Sequence, residues 1–578
     1  MTTDLIRWRG GPGAGKSTTL IDYVRSEVAA GATIDDLAVM TFSRSQAVDL
    51  ARRLHESVFP DADMRTISRM CTTIHARALR QCIAASLIEN PREQVIQPGD
   101  RKKAAIYQTF MDAHGLAFDP TIATEDDART RADPPLGNQI LAIAAYLTAT
   151  MRQPDEWRVA TAALGLAAQP QIWPHPYFVT AWRDYKVKNG LFEHDDYIRL
   201  ALVHGLHPPA PILIIDEYQD VSPAQDALIR SWIEHPDTRR VYLAGDADQS
   251  IYAFRGCDPR LFLDLDAEDR GATGPASRPI SHRCPVRVMT AAEAILSRPA
   301  NVSPCKRNGK VHHVQPPDAD ALARQVENAI AYARTLPGGR QPVFILSRYK
   351  QTAWNLARAI SAAGIPCLSI KPGRVRRWTR VRIGRDRSHL EVPAISPWIL
   401  KKAIARYLTG SDIDQDPIPT IEAETMILAT LTGEVRTDAL TALRLLKSKH
   451  GPIRLGDVYA WTGGNLRDGI FDALNLRPWT VRQIRACLTR EQQRGYEILP
   501  DMVRVDTIHA AKGLEAAVVL LHTGYLKKRL DDLADPTRLA EERRVYYVGA
   551  TRASHALLLL DYGETPVCPF LLGVGAHD

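Results

Sequence analysis

Two short stretches of this chain have the composition of phosphate chemistry. GGPGAGKS, from Gly10 to Ser17, fits the pattern G-x-x-x-x-G-K-[ST]. Glycines let the backbone turn tightly enough to aim successive amides at phosphate oxygens, and the helix that follows adds its positive N-terminal end. In that frame Gly11, Pro12, Gly13, Ala14, Gly15 and Thr18 form the cradle, Lys16 neutralises the β/γ oxygens, and Ser17 offers a hydroxyl to Mg²⁺. Much later, ILIIDEYQD ends an apolar run in two adjacent carboxylates. Asp216 suits Mg²⁺, directly or through water, and Glu217 suits orienting and deprotonating an attacking water. A cradle and a metal/base pair together specify hydrolysis of a nucleoside triphosphate.

Each stretch needs a strand to carry it, and the pattern supplies one. LIRW runs directly into the glycine turn, and Ser17 to Ala29 reads as a helix. LAVMTF (37–42) is a second buried strand, followed by a helix through about Ser57. Strands return at ILIID (212–216) and VYLAG (241–245). Between them, residues 85–185 are Ala-rich with helical spacing and breaks at Pro91, Pro120, Pro134, Pro135, Pro154 and Pro170. The expected fold class is therefore α/β, with a first core from 1–84 and 186–280 split by a helical insertion at 85–185. A second α/β core, 281–370 and 496–578, is marked by VFIL (343–346), VRVDT (503–507), AVVLL (517–521) and ALLLL (556–560). Residues 371–495 interrupt it, with helical stretches such as Asp438 to Lys447.

A length of 578 residues suits about four such units. Hydrophobic residues at 45% and charged residues at 24% match ordinary globular usage and exclude a disordered or fibrous chain. No apolar run approaches the ~18 residues that would cross a bilayer, and MTTDLIRWRG lacks a secretory core, so no membrane partner and a cytoplasmic location are expected. The eight cysteines contain no CxxC pair, which points to reduced thiols and not to a zinc or iron–sulfur site. The net charge of +7 is concentrated: residues 371–388 alone hold eight Lys/Arg and one Asp. Its alternation RVRRWTRVRIGR suggests a hairpin with arginines on one face, making Arg374, Arg376 and Arg377 candidates for duplex phosphates; a solvated strand pair is the alternative.

Beyond these stretches the chain resembles the superfamily 1 helicases of the UvrD/Rep/PcrA type. DEYQD is similar to that family's motif II, GDADQSIYAFRG (245–256) to motif III and RPISHRCP (278–285) to motif IV. DTIHAAKGLEAAVVL (506–520) resembles motif V and EERRVYYVGATRA (541–553) motif VI. LAVMTFSRSQA and CTTIHARAL look like motifs Ia and Ib, and EHDDYI (193–198) like a degenerate acidic motif before motif II. The blocks follow family order along almost the whole chain.

The resemblance implies two RecA-like P-loop motor domains with parallel sheets, called 1A and 2A, carrying insertions 1B and 2B, with ATP and Mg²⁺ in the cleft between them. It implies that Arg283 and Arg552 reach the γ-phosphate, that Gln249 senses it, that His282 stacks on the base, and that Glu515 lies near the ribose. On the DNA side it implies base stacking by Phe42, Tyr252 and Phe254, and backbone contacts from Thr73, His75, Arg255, Thr507 and His509. Tyr252 and Phe254 alternate in an otherwise polar loop, a pattern unlike that of core residues. The implied activity is a 3′→5′ DNA helicase and single-strand translocase acting on single strands and single-strand/duplex junctions. A monomer or a dimer on DNA, with accessory repair or replication proteins, is the implied assembly.

The chain also departs from the family. Relatives carry an adenine-binding glutamine upstream of the P-loop, and none of the nine residues before Gly10 is Gln. Motif IV has His282 where Tyr is usual, and motif III has Phe254 where Trp is common. Weaker discrimination of ATP from other NTPs is the expectation. The segment 371–495 is shorter than the usual 2B, which keeps open a translocase that strips proteins from single strands and unwinds little without a partner. A non-hydrolysing DNA-binding module is a further alternative, against which intact Lys16, Ser17, Asp216, Glu217, Arg283 and Arg552 argue.

Overall fold

The computed structural model describes residues 3–575 except 101, 123–133, 167–174, 272–276, 339–340, 370–377, 384–387, 394–396, 410–416, 432, 449–452, 455, 459–470, 472–473, 475 and 477. The first sheet has six strands: β1 (Asp4–Arg9), β2 (Leu37–Thr41), β3 (Cys71–Thr73), β4 (Ile212–Ile215), β5 (Arg240–Gly245) and β6 (Glu268–Gly271). Their order is β3-β2-β4-β5-β1-β6, with every neighbouring pair parallel. Parallel strands are covered on both faces, and β2 and β4 are accordingly buried at every residue. The turn after β1, the carboxylates after β4 and the loop after β5 thus open at the same edge, the carboxyl ends, where open α/β sheets bind ligands.

The second sheet is also all parallel. β9 (Lys310–Val314), β10 (Val343–Ser347), β13 (Val503–Thr507), β14 (Ala516–His522) and β15 (Ala553–Leu560) lie in the order β13-β10-β14-β15-β9. Between β6 and β9, β7 (Ile280–Pro285) pairs with β8 (Ser303–Cys305) apart from that sheet and faces the first core. Both sheets are those of an α/β protein with two RecA-like halves. The short strands β3, β6, β8 and β9 escape the sequence pattern; β6 reads EDRG and β9 KVHHV, polar or mixed runs without the continuous apolar character that marks a central strand.

Helices fill the described parts of 85–185, and Tyr107, Phe110, Ile143 and Trp182 form their separate core. A further helical core, around Leu400, Met426 and Leu443, occupies the described parts of 397–494. An antiparallel hairpin pairs β11 (Trp378–Ile383), from the basic segment, with β12 (Ser388–Pro393), which lies past the RVRRWTRVRIGR stretch expected to form it and contains no arginine. It begins after Arg374, Arg376 and Arg377, which lie outside the described residues. All eight cysteines are free and six are buried.

One ion pair lies buried within the second core. Arg348, just after β10, donates from Nε and Nη2 to the Glu542 carboxylate at 2.8 and 3.0 Å, in a forked pair with both side chains nearly inaccessible. Removing one partner of such a pair leaves a buried charge uncompensated, at a cost of ~3–5 kcal/mol, whereas replacing both with apolar groups is often close to neutral. Glu542→Gln is expected to lower the urea midpoint of unfolding substantially, and the double variant R348M/E542L to recover much of it. Equal midpoints for wild type and E542Q would show that the pair contributes nothing.

Candidate nucleotide cleft and DNA-side groove

The glycine turn leaves β1 and enters the helix Lys16–Ala29 through two left-handed positions, Gly13 (φ +73°) and Gly15 (φ +81°). Lys16 Nζ donates to the carbonyls of Gly10 (2.9 Å) and Gly11 (3.3 Å), which folds the ammonium back over the cradle. Thr18, one residue past Ser17, accepts from Arg53. Across the cleft floor the Ser17 hydroxyl donates to Asp216 at 2.8 Å. Glu217 takes a left-handed backbone conformation, φ +59°, uncommon for a residue with a side chain. Its carboxylate is gripped by the Gln46 amide (3.4 Å) and by the Gln219 amide, so it is held at the mouth of β4 and not left to swing.

Burial, and then the neighbouring Glu217, push the Asp216 carboxyl up to about 6 against the pull of Lys16. Burial also opposes ionisation of Glu217, but Lys512 and Lys16 outweigh it and hold that group below the usual carboxylate range. A buried carboxylate that is costly to ionise and shares a hydrogen bond with a hydroxyl is an oxygen pair suited to a hard cation. Among the described residues no three His, Cys, Asp or Glu side chains form a metal cluster. Ser17 and Asp216 supply two oxygens, and Mg²⁺ is usually bound through one or two protein oxygens together with substrate phosphates. The residues fit a magnesium–nucleotide site of the P-loop kind.

The second core closes over this turn. Ser281 Oγ donates to the Pro12 carbonyl (2.8 Å), the His282 amide to the Gly13 carbonyl (2.8 Å), and the Gly11 amide to the Asn301 carbonyl (3.1 Å). The His282 ring itself is exposed. Arg283 is half-buried and donates from Nε to Glu515 at 2.6 Å, so the two residues expected near the γ-phosphate and the ribose hold each other here. Arg552 is buried and donates to Gln249 Oε1 at 3.1 Å, while Gln249 donates to Asp246 at 2.7 Å. Burial and the nearby Arg283 lower the Arg552 guanidinium to about 10, leaving it charged near neutrality. Lys512 donates to Asp220 and to the Gln249 carbonyl.

The groove beside the cleft gathers four of the expected DNA residues. Phe42, Thr73, His75 and Arg255 line one cavity of about 260 Å³, together with Tyr146 and Asp195. Thr73 caps the helix Ile74–Ala84 by accepting from the Ala76 amide, and His75 sits between Gln225 and Asp195. Phe42 stacks on Tyr252 with ring centroids 4.8 Å apart. Thr507 and His509 lie on the other core: Thr507 accepts from the Ala510 amide, and the buried His509 reaches the Ile251 carbonyl. Phe254 departs from expectation. It is only 4% exposed and belongs to the apolar core of the 85–185 helices, so alternation in a polar loop did not mark an accessible ring.

Several residues that complete the site were not singled out from sequence. Lys512 lies within the motif V block AAKGLE and was legible there; Asn301 and Arg298 lie in no motif and meet the site only through folding. Asp195 belongs to the acidic block EHDDYI, but its position facing the groove becomes apparent only in three dimensions.

A phosphate cradle and a carboxylate pair on one parallel sheet, closed by arginines from a second, define a two-core P-loop nucleoside triphosphatase. Residues 191–269 match the UvrD/REP helicase N-terminal domain and residues 482–562 the UvrD-like helicase C-terminal domain. The chain is 25% identical to the ATP-dependent DNA helicase UvrD2 of Mycobacterium tuberculosis (strain ATCC 25618 / H37Rv), over 95% of this chain and 75% of that protein. It is 21% identical to the ATP-dependent DNA helicase srs2 of Schizosaccharomyces pombe, over 96% and 69%. It is 24% identical to UvrD1 of Mycobacterium tuberculosis (strain CDC 1551 / Oshkosh), over 62% and 56%. Both matched domains, and all three relatives, are those of UvrD/Rep-type superfamily 1 helicases, the family that the chain resembles along almost its whole length.

Closure over the cradle has a steric requirement. A Cβ at Gly13 would lie 2.7 Å from the Arg283 Cβ and 2.9 Å from its backbone nitrogen, besides straining a positive φ. Gly13→Ala is expected to lower single-strand-stimulated ATPase by at least about tenfold through clash and strain. An ATPase equal to wild type would mean that this closed contact is not used in turnover.

Proposed function

We propose that the chain is a 3′→5′ DNA translocase and helicase, driven by ATP hydrolysis between core 1A (1–84 and 186–280) and core 2A (281–370 and 496–578). The observation that carries this reading is the shared segment Asp246–Arg255. At one end Gln249 meets Arg552 of the opposite core, and three residues on Tyr252 stacks on Phe42 at the groove. A change in contacts at the nucleotide is thereby adjacent to a change in grip on the strand.

In this reading Lys16 and the turn Gly11–Thr18 hold the triphosphate, and Ser17 and Asp216 hold Mg²⁺. The ion, when bound, supplies positive charge at the β/γ oxygens. Glu217 orients and deprotonates the attacking water. Arg283 leaves Glu515 to reach the phosphate, joining Arg552, and Glu515 is then released toward the ribose beside the exposed His282. Phe42 and Tyr252 stack on bases, and Thr73, His75, Arg255, Thr507 and His509 hold the strand's backbone. Asp195 in the groove repels phosphates, and Arg255 and His75 beside it offset that charge. The insertions 85–185 (1B) and 371–495 (2B) border the duplex, the latter through its basic segment. Among the described residues no helix is long and apolar enough to cross a membrane.

The test is strand separation on matched duplexes bearing a 3′ or a 5′ tail, with ATPase read in parallel and Lys16→Ala as the inactive control. Opening of the 3′-tailed duplex alone is the expected result. Opening from the 5′ tail alone would reverse the polarity. Stimulated ATPase with neither duplex opened would favour the protein-stripping translocase, and no stimulated ATPase would remove the motor reading.

A further inference from the structure

A second surface, on the far side of the helix that carries Asp195, has no part in this chemistry. The helix His194–Val203 turns His194 and Asp195 toward the DNA-side cavity, while Arg199, Leu200 and Val203 open on a separate groove. These last residues follow the i, i+1, i+4 spacing of one helical stripe. The facing wall is the end of the helix His175–Lys188, with Arg183 and Val187 one turn apart, and Leu191 and Phe192 complete the floor.

Two properties set this groove apart. Val187 is 81% and Val203 79% exposed, the two most exposed large apolar side chains among the described residues. Single exposed valines are ordinary, but here they flank a continuous apolar trough of about 390 Å³. The second property is its charge. Lys186 is already committed to Glu193 and Asp196, at 2.8 and 2.6 Å. Arg183 and Arg199 form no ion pair among the described residues, and the buried Arg183 Nε has no hydrogen-bond partner. Burial and the neighbouring Arg199 both lower the Arg183 pKa, with Asp196 opposing them only in part, and Arg183 Nη2 donates to the Arg152 carbonyl at 3.1 Å and not to a carboxylate.

We propose that this groove docks an acidic amphipathic helix of a partner protein, whose apolar stripe fills the trough while its carboxylates pair with Arg183 and Arg199. Two helices splayed around an apolar floor match the helix-in-groove mode, read through anchors at i, i+3, i+4 and i+7. Forked guanidinium–carboxylate bonds supply the specificity. A nucleic-acid strand fits poorly, because an apolar floor with Asp196 on its rim offers phosphates two cations and one repulsive charge. The inference does not depend on the direction or extent of unwinding.

The probe is a dye-labelled synthetic peptide of about five helical turns, with leucines on one stripe and Asp/Glu elsewhere. Fluorescence anisotropy with the full chain is expected to show saturable binding. Arg199→Glu and Val203→Asp, both on the surface, are each expected to weaken it at least about tenfold while single-strand-stimulated ATPase stays at wild-type level. A Lys-for-Asp/Glu peptide and a Ser-for-Leu peptide are expected not to bind. Equal binding of the basic peptide, or no loss in either variant, would overturn the proposal. So would displacement by oligo(dT), which would place the peptide in the DNA groove. Concentration-dependent dimerisation that Val203→Asp abolishes would assign the surface to a second copy of the chain instead.

Discussion

The structure depends on how one wall of the cleft is electrically neutralised. Asp216, Glu217 and Asp220 stand within five residues, all buried, at the mouth of β4. Burial, with the Glu217 charge adding to it, pushes Asp220 up to about 7 even with Lys512 against it. Only one of the compensating cations, Lys16, belongs to the same core. Lys512 and Arg552 come from the other, and Arg298 does the same for the buried Asp248. A wall carrying this many desolvated carboxylates is unstable alone, because a buried charge without a partner costs several kcal/mol. Closure of the two cores is therefore built into the charge distribution. Anything that alters the charge in the cleft, a triphosphate above all, acts on the same balance that holds the halves together.

Steric fit sharpens this constraint. The glycine turn is met by backbone as well as by side chains of the second core, since Gly11 bonds Asn301 and a Cβ there would strike Val302 at 2.7 Å. A phosphate cradle is usually explained by the ligand alone, through amides that must approach an anion closely. Here glycine is required twice over, because the same turn is also a docking surface for Ile280–Pro285 and Asn301–Val302. The Arg283–Glu515 pair belongs to this arrangement: its carboxylate is half-exposed, so the ion pair can be exchanged at little cost.

Much of this was legible in the sequence, for identifiable reasons. The P-loop, DEYQD and the central strands announce themselves because phosphate binding and two-sided burial each demand particular residues at fixed spacing. The helical nature of 85–185 was likewise visible in its apolar period. Edge strands such as EDRG and KVHHV were not visible, since one-sided pairing imposes no apolar run. Nor could local pattern reveal Asn301, Arg298 or the forked Arg348–Glu542 pair, whose partners lie far away along the chain. Phe254 shows the reverse failure. Its neighbours are polar, but the insertion that buries it comes from residues between Ile96 and Trp182, far earlier along the chain, so no reading of the loop by itself would find its contacts.

The burial of Phe254 and the Phe42–Tyr252 stack bear on what DNA gains by entering the groove. A base placed between two rings needs a centroid separation of about 7 Å, twice the ~3.4 Å stacking distance. Phe42 and Tyr252 stand 4.8 Å apart, with Lys512 over the Tyr252 ring at 5.1 Å. The rings therefore satisfy each other within the protein. On the proposed reading, a base either stacks on an outer face or separates the pair, and in the second case ring–ring contact is exchanged for ring–base contact. The net gain per base then falls below the ~1–3 kcal/mol of an isolated aromatic platform. A weak, exchangeable grip of this kind suits a protein that must release each base as readily as it takes it, because a step along the strand is only as fast as the hold it has to break.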